Sequence, residues 1–154
     1  MSTSATSTAR DPNARTFNDS TIDSVRDVSE LAGRSLLSGL FLISGLFKIV
    51  GYAQTVAYMS SLGVPAALLP LVIATEVLGA IAVIIGWQTR ITAFLLAGYS
   101  LLTALIFHSN LADQIQMIMF LKNIAIAGGF LLLVAKGAGP LSLDYRFGRR
   151  GAAA

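Results

Sequence analysis

The sequence predicts an all-α, polytopic membrane protein: a four-helix transmembrane bundle of up-down topology with both termini cytoplasmic. Three observations carry this expectation. First, 55% of the 154 residues are hydrophobic and 12% are charged, where a soluble domain carries about 25% charged residues. One domain of this length cannot hide so many apolar side chains from water, so lipid is the second solvent. Second, four apolar runs, at 31–50, 66–86, 91–108 and 115–135, each approach the roughly 20 residues a helix needs to cross a bilayer. Third, the basic residues fall on one side of those runs.

Composition also excludes chemistry. The chain has no cysteine, which removes disulfides, thiol catalysis, cysteine-ligated iron–sulfur clusters and covalently attached haem. It has one histidine, so neither a bis-histidine haem nor a multi-histidine metal site forms within one protomer. No metal site and no covalently bound cofactor is expected. The net charge of +3 does not imply a nucleic-acid partner, because the basic residues flank apolar spans and do not share one polar face.

Residues 1–30 are rich in Ser, Thr, Asp and Arg, with little apolar periodicity. They read as a disordered polar tail, helical at most near 22–30. They do not read as a signal peptide, since no apolar core follows a basic start, nor as a transit peptide, since Asp11, Asp19, Asp23 and Asp27 are acidic. The four-span domain occupies 31–136 and a cytoplasmic tail 137–154. Span one, 31–50, sets Arg34, Ser38, Phe41, Gly45 and Lys48 at helical spacing on one face, the small and polar stripe with which a membrane helix meets its neighbours. In 51–65, Tyr52, Val56, Met59 and Leu62 repeat as in a short interfacial helix, ended by Gly63 and Pro65.

Span two, 66–86, tolerates Pro70 in its first turns and aligns Glu76, Gly79, Val83 and Gly86 on one face. Trp87 to Arg90 is a tight polar turn. Span three, 91–108, ends at His108, and 109–114 is a short polar turn. Span four, 115–135, is interrupted by Lys122 and Asn123. The Gly137-x-Gly139 pair follows a membrane helix and not a strand, so it is no dinucleotide fingerprint.

Sidedness follows from charge. Arg10, Arg15, Arg26, Arg34, Arg90, Lys136, Arg146, Arg149 and Arg150 lie on one face of the membrane, and the loops 51–65 and 109–114 on the other carry no Lys or Arg. The positive-inside rule puts both termini and the 87–90 turn in the cytoplasm.

The polar residues inside the spans form the candidate site: Lys48, Glu76, His108, Lys122 and Asn123. A carboxylate near the bilayer centre must face protein, pair or take a proton. At 1.5 Å per residue, Glu76 lies roughly 14 Å and Lys122 roughly 10 Å below the external face. Lys48 and His108 end their helices near that face, so all belong to the outer half. Glu76–Lys122 is the preferred ion pair, with Asn123 and Gln116 for leftover hydrogen bonds. Plainer readings stand beside this one. Lys48 can snorkel to the headgroups, His108 can be an interfacial cap, and a buried pair can fix helix register without further function.

With these residues placed, the chain resembles the DoxX family of small four-span membrane proteins. The resemblance rests on GLFLISGLFKIVGY at 39–52, LGVP at 62–65, ATEVLGAIAVIIGWQTR at 74–90, Phe107-His108, FLKNIAIAGGFLLL at 120–133 and the GxGxxSLD pattern of 137–144. It covers about residues 34–146. It implies a bacterial inner-membrane protein with four helices, which the charge count above orients N-in and C-in, with some relatives described as subunits of thiosulfate:quinone oxidoreductase and others as partners in a redox-stress complex. Three functions stay open. One is an accessory subunit of a quinone-linked redox system, binding a quinone while a partner protein supplies electrons. The second is a non-catalytic scaffold or assembly factor. The third is a small proton-linked transporter. Whether the chain is an enzyme stays open, as does assembly into a homo-oligomer.

Overall fold

The computed structural model describes the backbone of residues 12–151 and the side chains of 19–149. The described residues form helices and connecting turns, without a strand: α1 (Pro12–Val50), α2 (Tyr52–Ser61), α3 (Leu69–Ile85), α4 (Thr89–Phe107), α5 (Gln114–Lys136) and α6 (Leu143–Gly151). One 3-10 turn, Ala66–Leu68, leads into α3. Four segments are long and apolar enough to cross a membrane: Asp19–Val50, Ala66–Ile85, Thr89–Phe107 and Gln114–Lys136.

Local chemistry sets the helix ends. Pro70 sits in the first turn of α3, where its missing N–H would have no helical partner anyway. Gly86 ends α3 in the left-handed conformation (φ 73°, ψ 44°), the geometry a helix C-terminus most often takes. Asp113 caps α5, its carboxylate accepting the Gln116 N–H at 2.9 Å, as a short acidic side chain does at an N-cap.

The helices then pack in pairs. α1 lies along α3, α4 lies along α5, and contacts of α3 with α4 and of α1 with α5 close the bundle. The core joins Phe41, Val83, Leu96, Ile126 and Phe130 to the small residues Ala80, Ala93, Ala97 and Ala127. Phe41 is its hub, edge-on to both Phe130 (5.4 Å between centroids) and Tyr99 (6.0 Å). The stripe expected on the first span is the buried face of α1: Arg34, Ser38, Phe41 and Gly45 are all buried and Lys48 is half-buried. Leu36, Ile43, Phe94, Leu105 and Leu132 point outward, an apolar exterior that suits lipid.

Contacts at the two ends give the topology. At one end, α1 near Arg34 meets the α3–α4 turn and the residues after α5. At the other, α2 and the α4–α5 turn meet, with Tyr58 stacked on Phe107 at 5.8 Å. The chain therefore runs up and down, and the segments leading into α1 and out of α5 lie at the same end.

Two expectations are corrected. The polar stretch before residue 31 is not a tail throughout, because α1 is continuous from Pro12; residues 1–11 lie outside the described residues. The stretch after residue 136 is not merely a tail either. Arg34, 2% exposed, donates to the carbonyls of Ala138 and Leu141. Asp144 accepts the N–H groups of Gln88 at 2.7 Å and Thr89 at 2.8 Å, while its own N–H donates to the Gly86 carbonyl at 2.8 Å. Ser142 accepts from the Tyr145 N–H at 3.2 Å at the start of α6. The Gly137-x-Gly139 pair is thus part of a latch, and Gly139 (φ 75°) lies where an added Cβ would overlap the Glu30 carboxylate. Residues 152–154 lie outside the described residues.

Candidate functional site

The end of the bundle away from the latch encloses a cavity of about 320 Å³. Its walls are mostly apolar, from α1, α3 and α4, and α2 with the segment after it closes the end through Thr55, Tyr58, Met59 and Val64. Lys48, Glu76, His108, Lys122 and Asn123 all line it, and so does Tyr99.

Close approach of α1 and α3 builds the polar floor. A Cβ on Gly45 would lie 2.7 Å from Val77 Cγ2 and 3.2 Å from Glu76 Cβ, so only glycine lets the helices come this near. One turn further along α1, Lys48 then reaches the carboxylate. Its Nζ lies 2.9 Å from Glu76 Oε1 and 2.8 Å from Oε2, and donates also to Ser44 Oγ at 2.6 Å. Tyr99 donates its hydroxyl hydrogen to Glu76 Oε1 at 2.6 Å. The Glu76 side chain is 4% exposed and that of Lys48 is 25% exposed. All three ammonium hydrogens of Lys48 are engaged, and both carboxylate oxygens accept.

The ion pair expected between Glu76 and Lys122 is therefore corrected: Lys48 is the partner. The physical reason is packing. α3 lies against α1 and α4, so the cation of α1 comes within reach and that of α5 does not. Lys122 instead stands exposed at the rim of the cavity, its Nζ 3.2 Å from Met119 Sδ. Asn123 is buried and donates to the Met119 carbonyl at 3.0 Å.

His108 ends α4, and its Nδ1 lies 2.8 Å from Gln116 Oε1. A side-chain amide oxygen only accepts, so Nδ1 carries the proton in this pairing and Nε2 is the ring's other nitrogen. Gln116, placed beside Asn123 in the sequence reading, serves the histidine.

Sequence reasoning missed Tyr99 and Ser44. The signal for Tyr99 was its position: a phenol in the middle of an apolar span needs a hydrogen-bond partner. Ser44 lies one helical turn before Lys48, where side chains of one face meet.

Among the described residues no three of His, Cys, Asp and Glu gather as a metal site. The side chains that line the cavity offer hydrogen bonds and sites for a proton. Lys122 lines the cavity as a donor that Glu76 does not engage, and His108 Nε2, with Nδ1 turned to Gln116, is an acceptor.

Comparison with known proteins gives a consistent picture. The DoxX family model matches residues 29–109. The chain is similar to the inner membrane protein YqjF of Escherichia coli (strain K12), with 50% identity over 86 residues, which are 56% of this chain and 66% of that protein. It is also similar to the inner membrane protein YphA of the same organism, with 44% identity over 95 residues, 57% of this chain and 68% of the relative. The chain thus spans about two thirds of the length of the curated relatives it matches. No solved structure matches.

Proposed function

Because this chain belongs to the DoxX family, we propose that it is a multi-pass protein of the bacterial inner membrane whose cavity binds a lipophilic quinone, as an accessory subunit of a quinone-linked redox system. The location follows its relatives, both named inner membrane proteins. The observation that carries the binding is the cavity. Its volume of about 320 Å³ is at the lower end of small-molecule sites and suits a ring-sized head group.

The residues present fit a quinone. Apolar walls suit the ring, Lys122 is placed to donate to a ring oxygen, and His108 Nε2 is placed to accept from a reduced ring's hydroxyl. A bound quinone would supply two-electron, two-proton chemistry, with electrons exchanged through a redox partner protein. Within the chain, Tyr99, Glu76 and Lys48 form a continuous hydrogen-bonded path. Glu76 is the group on that path able to take and return a proton.

The test is direct binding. The protein, purified into nanodiscs, is titrated with a short-chain quinone and followed by thermal shift. Saturable stabilisation, weakened by His108→Ala, is expected. A flat response at every concentration would overturn the reading.

One observation favours a second reading, a non-catalytic scaffold. Lys48 and Tyr99 saturate Glu76 from within the protein, as a purely structural pair would be saturated. On that reading Glu76→Gln lowers stability and no ligand binds.

A further inference from the structure

The charges around the cavity do not balance. Lys48 and Glu76 neutralise one another at 2.8 Å. Lys122 lines the same cavity, and among the described residues no carboxylate lies within ion-pair distance of it. The nearest acidic residue in sequence, Asp113, is engaged as the cap of α5. Lys122 lies eight residues into α5, about 12 Å along it, within the apolar span. Its recorded partner is the Met119 thioether, a weak acceptor. An unpaired ammonium among apolar residues is costly and is kept where it meets a partner of opposite charge.

We infer that the cavity takes its ligand as an amphipathic anion, the charged oxygen of the ligand serving as counter-ion to Lys122 and the apolar body filling the walls. The inference rests on the cavity being a ligand site, as proposed above, and adds the charge of the occupant. Lys48 cannot play this part, because Ser44 and Glu76 take all its hydrogens. Glu76 sets the position of the anion from the other side: a negative head group sits away from the carboxylate, toward α5. An anionic oxygen of this kind comes either from a free amphiphile or from a phospholipid head group.

Two naphthoquinones of nearly equal size serve as probes. 2-Hydroxy-1,4-naphthoquinone is an anion at neutral pH, and 2-methoxy-1,4-naphthoquinone is neutral. The full chain in phosphatidylcholine nanodiscs is expected to bind the anion about tenfold more tightly, the scale of one charge-assisted contact. Lys122→Met should abolish that preference, the two probes then binding with equal and weaker affinity, and Lys122→Arg should keep it. Met at an exposed apolar position does not threaten folding. Repeating the titration with phosphatidylglycerol in the disc separates the sources. Measured relative to Lys122→Met in the same discs, so that the charge of the disc surface cancels, a preference that shrinks identifies the head group as the occupant, and one that persists identifies a free amphiphile. Equal affinity for both probes, or a preference unchanged in Lys122→Met, overturns the inference and leaves the proposed binding function standing. Failure of both probes to bind removes both.

Discussion

Glu76 pairs with Lys48 because glycine at position 45 brings two backbones together one turn below the lysine. The two members of the pair are not equally exposed, and this yields a test. The Glu76 side chain is 4% exposed and that of Lys48 25%. Lys48→Met leaves a carboxylate stranded among apolar groups and should cost about 3 kcal/mol. Glu76→Gln should cost less, about 1–2 kcal/mol, because the long lysine stem can lift its amine toward the head groups. Adding Glu76→Gln to Lys48→Met should therefore restore stability, measured as the thermal midpoint in detergent; a double variant weaker than Lys48→Met alone would contradict the pairing. Tyr99→Phe, losing the 2.6 Å bond to Oε1, should cost about 1–2 kcal/mol on the same scale. Glu76 was legible in the sequence because a carboxylate in an apolar run announces its own cost. Its partner was not, because depth along each helix favours Lys122, roughly 10 Å down, over Lys48 near the external face. Rotation about the helix axis and the identity of the neighbouring helix decide between them, and a single sequence fixes neither.

At the scale of the elements, the four spans were legible because hydrophobic length is a strong signal. For the last three, expected and observed limits differ by only a few residues, as with 66–86 against a turn and helix over Ala66–Ile85 and 115–135 against Gln114–Lys136, whereas the first, expected over 31–50, starts earlier, at Asp19–Val50. The latch was not legible. The 137–144 segment is glycine-rich and polar, as a loop is, and its order comes from Arg34, about a hundred residues earlier, and from the α3–α4 turn. Asp144 is its keystone, since it accepts two N–H groups at the start of α4 and donates back to Gly86. Asp144→Ala leaves those two N–H groups without their acceptor, and cap losses of this kind cost about 1–2 kcal/mol. Freed from the turn, α6 should also detach. Limited trypsin digestion is expected to cut at Arg146 and Arg149 faster in the variant than in the parent chain, and equal cutting rates would show that the latch does not hold α6. Gly139→Ala should act in the same direction, because the new methyl meets the Glu30 carboxylate.

At the scale of the whole molecule, the latch and the cavity lie at opposite ends of the bundle, so the sidedness of the membrane decides which compartment each one faces. Arg34, Arg90, Lys136 and Arg146 gather at the latch end, whereas the α1–α2 connection, α2 and the α4–α5 turn hold no Lys or Arg. Basic residues near short loops favour the cytoplasm, so the expected orientation has the latch inside and the cavity in the outer half. A ligand would then enter from the external leaflet, and protons exchanged through Glu76 would belong to the external side. Fusions at the C-terminus test this. A green-fluorescent reporter fluoresces only in the cytoplasm, and alkaline phosphatase is active only outside it. Bright fluorescence with inactive phosphatase is expected, and the reverse pattern would invert the molecule. The same rule makes the orientation adjustable. Replacing Ser109, Asn110 and Asp113 with arginine adds basic residues to a loop that has none, and should lower C-terminal fluorescence by drawing that loop inward. A fusion insensitive to those charges would mean that the basic residues at the latch end serve its structure and do not set the topology.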